Sequence, residues 1–156
     1  NIKTGVRRSI NTIAVQTLQA LGVENSYYFA KEKLGLNLAS ADMDLSPLAM
    51  GGLTYGLTTI EMAGGYGAIA NGGIYQEPVF YTKVTDRTGT IILENTPIKT
   101  TVFKETTCYL ITSALKDVIS KGAGFAYTLS NPEIEVAGET GVSRISSSTA
   151  FSSPSA

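Results

Sequence analysis

Two short runs near opposite ends of the chain bring hydroxyl, amide and carboxyl side chains together beside glycine: Ser9-Ile10-Asn11, and Gly138-Glu139-Thr140-Gly141. The sequence contains no histidine, which removes Ser-His-Asp triads, histidine-ligated zinc and H-E-x-x-H chemistry. Any catalysis must therefore run on serine, lysine, tyrosine or carboxylates. A hydroxyl and a carboxamide divide labour well, because one passes a proton while the other donates and accepts hydrogen bonds without titrating. A further run, Ser113-Ala114-Leu115-Lys116, sets a serine one helical turn ahead of a lysine. Its Ser113 and Lys116 fall on the polar side of a helix whose apolar stripe is Cys108, Ile111, Leu115 and Val118, so they read as solvated surface. Gly64-Gly65-Tyr66-Gly67 lacks the Gly-Lys-Ser/Thr ending of a phosphate loop, so nucleotide binding is not expected. The single cysteine, Cys108, lies in the apolar stripe and reads as a small buried hydrophobe rather than a nucleophile or ligand.

The elements that must position these residues belong to a chain of ordinary globular character, 156 residues long and 43% hydrophobic. A formal net charge of −1 from 12 basic and 13 acidic residues, scattered rather than blocked, leaves no electrostatic footprint for nucleic acid. The apolar runs are too short and too interrupted to span a bilayer, and the first residues do not form a charged-then-apolar leader. With Asn1 in place of an initial methionine, these features lead us to expect a piece of a longer protein.

Val6, Ile10, Ile13, Ala14, Leu18 and Leu21 recur at helical intervals and Gly22 stops them, which predicts a helix with Asn11 as its N-cap and Ser9 on the loop before it. A second short helix is expected from Tyr27 to Leu34, closed by Gly35, followed by an irregular stretch from Leu36 to Gly56. Thr58-Thr59-Ile60-Glu61 is a capping box that opens a helix to about Ala70. Val79 to Thr85, a turn at Asp86-Arg87-Thr88-Gly89, and Thr90 to Glu94 predict a hairpin. An amphipathic helix through Cys108 and Ile119 should end at Lys121-Gly122, and Ile134 to Ala137 reads as a short strand leading into Gly138. Residues 142–156 are crowded with serine and are expected to be a poorly ordered tail.

The long run from Leu48 to Ala63, Leu48-Ala49-Met50-Gly51-Gly52-Leu53-Thr54-Tyr55-Gly56-Leu57-Thr58-Thr59-Ile60-Glu61-Met62-Ala63, continued by Tyr66 and by Ala70-Asn71-Gly72-Gly73-Ile74-Tyr75, resembles the C-terminal part of the transpeptidase domain of class A, bifunctional penicillin-binding proteins. Ser9-Ile10-Asn11, the hairpin from Lys83 to Gly89, Leu115-Lys116-Asp117-Val118 and Val136-Ala137-Gly138 support the resemblance, which spans residues 1–141. In that family the motifs run S-x-x-K, S-x-N and K-T-G in chain order. The Ser113 run comes after S-x-N, the wrong order for the nucleophile.

The resemblance implies an α+β fold of the penicillin-binding and serine β-lactamase-like type, incomplete here, with helices packed on an antiparallel sheet. It implies peptidoglycan crosslinking by acyl transfer from D-alanyl-D-alanine stem peptides, β-lactams as ligands, no metal or organic cofactor, and extracytoplasmic placement in the cell envelope. Ser9 would relay a proton to the leaving group and Asn11 would hydrogen-bond the peptide. Glu139, Thr140, Gly141 and Val142 would line the substrate. Glu139 stands where the family has lysine, Val142 where it usually has a second hydroxyl, and Ala123 where threonine is usual. With the nucleophile motif absent, the piece alone is expected to be inactive. The alternative is a non-catalytic peptidoglycan- or β-lactam-binding module of the same fold.

Overall fold

A computed structural model describes residues 1–122, 128–131 and 133–141. Ala123, Val142 and the serine-rich run 142–156, on which expectations were placed above, lie outside the described residues.

The apolar repeat beginning at Val6 runs through two helices rather than one. Helix α1, Ile2–Arg7, is capped by Asn1, whose Oδ1 accepts from the Thr4 amide at 2.9 Å. It ends in a Schellman turn: the Ile10 amide reaches the Gly5 carbonyl at 2.9 Å and the Ser9 amide reaches Val6 at 3.0 Å. Helix α2, Asn11–Leu21, follows and stops at Gly22, as expected. Asn11 is its first helical residue and not its cap. Ile10 holds the cap position without a side-chain bond, because the turn that closes α1 already fixes the backbone there. Helix α3, Val23–Tyr28, starts directly after Gly22 and passes into a π turn, Phe29–Lys33. It begins ahead of the expected Tyr27 start because the Ser26 hydroxyl bonds back to the Gly22 carbonyl at 2.7 Å, inside the helix.

The stretch expected to be irregular contains a 3₁₀ turn, Ser40–Asp42, and helix α4, Leu45–Met50. Asp44 caps α4 and Gly51, at φ +76°, ends it. Asp42 is buried, at 1% exposure, and accepts three bonds: Ala39 N at 2.9 Å, Thr54 N at 2.8 Å and Thr54 Oγ1 at 2.6 Å. Its carboxylate closes the loop that carries α4, and α4 packs on α2.

Helix α5, Thr59–Ala70, opens with the expected capping box, Thr58 Oγ1 meeting Glu61 N at 3.3 Å and Thr58 N meeting Glu61 Oε2 at 2.7 Å. The second Glu61 oxygen accepts from Asn37 N at 2.8 Å and so ties the loop before α4 to α5. Gly64 is required by packing, since a Cβ there would meet Pro78 Cγ at 3.1 Å and Tyr75 Cε2 at 3.3 Å. Gly73, at φ +99°, presses on the Phe103 carbonyl, and only a glycine can take that conformation at that approach.

Two antiparallel pairs follow. Strands β1, Ile74–Gln76, and β4, Lys99–Thr101, pair with Tyr75 opposite Thr100; β2, Lys83–Thr85, and β3, Ile91–Glu94, form the expected hairpin with Val84 opposite Leu93. Asp86 organises its turn by accepting from the amides of Thr88 at 2.8 Å and Thr90 at 2.9 Å. Helix α6, Glu105–Lys121, buries Cys108, Ala114, Leu115, Val118 and Ile119 and supplies the core on which α1 rests. No helix among the described residues is long and apolar enough to cross a membrane.

Ile134–Ala137 is not a strand. A strand needs a ladder, and no described strand runs beside it; instead its alternate apolar residue, Val136, packs onto Val118 and Ile119 of α6. The architecture is α+β, with helices around small antiparallel sheets.

Candidate active site

Ser9 is the only non-glycine residue with positive φ among the described residues, at +50°. It occupies the left-handed position of the Schellman turn, where glycine is usual because a Cβ crowds the backbone. Its side chain is exposed, and Asn11 is exposed on the first turn of α2.

Helix α1 is fastened to α6 by Lys3, whose Nζ lies 3.2 Å from Asp117 Oδ2 and donates to Ser113 Oγ at 3.1 Å. Lys116, on the same helix, reaches instead to Glu135 Oε2 at 2.6 Å. Ser113 and Lys116 lie at the surface, engaged through exposed contacts with different partners, and neither is hydrogen-bonded to the other.

The second run reaches the same helix from the other end of the chain. Glu135 is anchored by Lys116, Val136 packs on Val118 and Ile119, and the Gly138 amide points at the Leu115 carbonyl at 3.5 Å. Past this anchorage Glu139, Thr140 and Gly141 are exposed. Thr140 Oγ1 donates to Glu139 Oε1 at 3.4 Å, and Glu139 forms no ion pair among the described residues. Tyr66 of α5 lies within its field: burial, and secondly the Glu139 charge, push the Tyr66 phenol above its ordinary value. Val142 is outside the described residues.

Val6 and Val136 therefore share one small core with Val118 and Ile119, which gathers the end of α1 and the start of the 138–141 run onto α6. Two surface grooves lie elsewhere, one of about 260 Å³ along Gly64, Gly67, Asn71 and Pro78, the other of about 430 Å³ between Ile2, Ile13 and Ala20. Neither is lined by Ser9, Asn11 or Thr140. No group of three or more His, Cys, Asp or Glu side chains gathers to hold a metal among the described residues.

Residues 2–152 match the family described as the penicillin binding protein transpeptidase domain. The chain is 34% identical over 142 residues to penicillin-binding protein 1A of Clostridium acetobutylicum, covering 90% of this chain and 17% of that protein. It is 31% identical over 145 residues to penicillin-binding protein 1A of Clostridium novyi, covering 91% of this chain and 17% of that protein. The chain thus spans about a sixth of the length of these relatives. Among solved structures, penicillin-binding protein 1A from Haemophilus influenzae superposes with a TM-score of 0.61 at 21% identity, over 80% of this chain and 22% of that one, a likeness of fold.

Proposed function

Because the chain belongs to the penicillin-binding protein transpeptidase family, we propose that residues 1–141 are the C-terminal portion of a serine DD-transpeptidase domain acting on peptidoglycan stem peptides outside the cytoplasm. In the parent reaction a serine hydroxyl attacks the carbonyl between two D-alanines. The acyl group passes to the serine oxygen, the terminal D-alanine leaves with a proton on its nitrogen, and an amine from a neighbouring strand takes the acyl group and restores the hydroxyl. β-Lactams acylate the same oxygen by opening their ring.

Within that reaction Ser9 relays the proton to the departing amine, and Asn11 holds the peptide by its amide. Thr140 bonds the substrate, Gly141 admits it closely, and Val142 serves the oxyanion through its backbone amide. The reading is supported by a single observation, the strained and exposed Ser9 carried on a helix that shares its buried anchor with the run leading to Thr140. Ser113 is not the nucleophile in this reading: its run follows Ser9-Ile10-Asn11 in the sequence, and Ser113 and Lys116 bond to Lys3 and Glu135 rather than to each other. The piece alone is therefore inactive.

Incubating the chain with a fluorescent penicillin and resolving it under denaturing conditions tests this. No labelled band is expected; a band that survives denaturation would show that a nucleophile resides here.

A further inference from the structure

The turn that carries Ser9 is bonded to helix α1: the Ser9 amide reaches the Val6 carbonyl and the Ile10 amide reaches that of Gly5. The direction of the Ser9 hydroxyl therefore follows the orientation of α1, a helix of six residues. Against α2 this helix packs closely at Gly5, where an added Cβ would lie 2.7 Å from Ile13 Cγ2. Against α6 it is held at Lys3 and Val6, three residues apart and so on one helical face. Val6 packs on Val118 and Ile119, a contact without direction. Lys3 supplies direction, with Nζ 3.2 Å from Asp117 Oδ2 and 3.1 Å from Ser113 Oγ. Asp117 is suited to receive it: its side chain is 18% exposed, and Lys121, one turn further along α6, holds the other carboxylate oxygen at 3.3 Å.

We propose that Lys3 and Asp117 are a positioning pair for proton relay: they orient α1 on the helix that also anchors the run leading to Thr140, and so fix where the Ser9 hydroxyl stands relative to that run. The inference rests on the reading above that Ser9 and Thr140 serve one site. Asn11 stands on α2, which packs on α4, so the pair acts on Ser9. A partly exposed ion pair adds little to folding stability. A proton-transfer group, by contrast, loses much of its effect when it is displaced by about 1 Å. The pair therefore bears on rate more than on stability.

The test follows acylation of the full-length protein that carries this chain by a fluorescent penicillin over a range of concentrations. Lys3→Met, which keeps the stem and removes the charge, and Asp117→Asn should each lower the maximal acylation rate by about five- to tenfold and leave the half-saturating concentration within about twofold. Lys3→Arg, which keeps the charge, should restore about half the wild-type rate or more. The Lys3→Met/Asp117→Asn double variant should be within about twofold of either single one. Because Lys3 acts through Ser9, adding Lys3→Met to Ser9→Ala should slow that variant by less than about twofold. Wild-type rates in Lys3→Met and Asp117→Asn, no recovery in Lys3→Arg, an undiminished effect of Lys3→Met in the Ser9→Ala background, or rate losses that only track a loss of folded protein in thermal melts each overturn the proposal. In those cases a slow Ser9→Ala leaves the site reading in place, whereas Ser9→Ala at full speed overturns that reading as well.

Discussion

Val6 on α1 and Val136 ahead of Glu139, at opposite ends of the chain, pack against the same two buried side chains, Val118 and Ile119 of α6. The two candidate runs are therefore set by one small core, and anything that loosens it should disturb both. Ile119→Ala is expected to lower stability by about 2–4 kcal/mol, the range for truncating a buried aliphatic side chain. Lys116→Ala, which breaks an exposed pair with Glu135, should lower it by no more than about 1 kcal/mol. Denaturant midpoints of the two variants check this, and equal losses would contradict a core-based anchorage.

Ser9 holds a left-handed conformation at φ +50°. Ser9→Gly should therefore leave stability unchanged or raise it by up to about 1 kcal/mol, while Ser9→Val should lower it by about 1–2 kcal/mol, since left-handed backbone penalises a Cβ and most of all a branched one. The same Ser9→Gly variant removes the hydroxyl and should lose function. A stabilised but impaired variant is the signature of strain kept for chemistry. A destabilised Ser9→Gly would mean that the side chain serves packing.

The parts of the fold legible in the sequence are those whose causes are local. The Thr58 to Glu61 box, the Asp86 turn and the stops at Gly22 and Gly122 each depend on a few neighbouring residues, and each lies where those residues place it. Ser9 was legible as a loop residue ahead of α2, but helix α1 before it and the left-handed conformation of Ser9 were not, because the apolar spacing from Val6 to Ile13 continues across the turn and serine carries no signal for it. Ile134 to Ala137 has strand-like alternation, yet alternation specifies only which side chains share a face. Docking of Val136 on α6 decided the rest. Helix α4 carried its own punctuation in Asp44 and Gly51, obscured by the Pro47 that its first turn tolerates. The β1–β4 pairing joins Tyr75 to Thr100, a distant partnership that no local pattern announces. Of the candidate site, residue types and order were readable; the shared anchorage of the two runs on α6 was not.

Asp42 and Glu61 give the fold an acid sensitivity of definite sign. The Thr54 hydroxyl, assisted by the Thr54 and Ala39 amides and opposed by burial, holds Asp42 below the usual carboxylate value; the Thr58 hydroxyl, then the Thr58 and Asn37 amides, do the same for Glu61. Lowered in the folded state, both bind fewer protons there than in the unfolded chain, so their stabilisation is complete above about pH 5 and is lost as pH falls through about 4 and below. The urea midpoint should drop between pH 6 and pH 3, and Asp42→Asn should flatten the drop. A midpoint that holds steady or rises on acidification would contradict the assignment.

Neighbouring glycines of α5 should respond in opposite directions. Gly65 has nothing within 4 Å of an added Cβ, whereas Gly64 faces Pro78 and Tyr75. Gly65→Ala should stabilise by about 0.5–1 kcal/mol through helix propensity. Gly64→Ala should forfeit that gain and lower stability, because two packed rings must shift. Matched thermal melts decide the point, and an equal gain at both positions would show that α5 does not pack on Pro78 as described.

The central claim is that Ser9, Asn11 and Thr140 serve one acyl-transfer site while Ser113 does not. The most direct measurement is the rate at which a fluorescent penicillin acylates the full-length protein. Ser9→Ala, Asn11→Ala and Thr140→Ala are each expected to slow it, Ser9→Ala by about 10²-fold or more, the usual contribution of a positioned proton-transfer group. Ser113→Ala, which removes one contact of Lys3 and leaves its pair with Asp117, should leave the rate within about twofold. Full-speed acylation in the first three variants, or its loss in Ser113→Ala alone, would contradict the account.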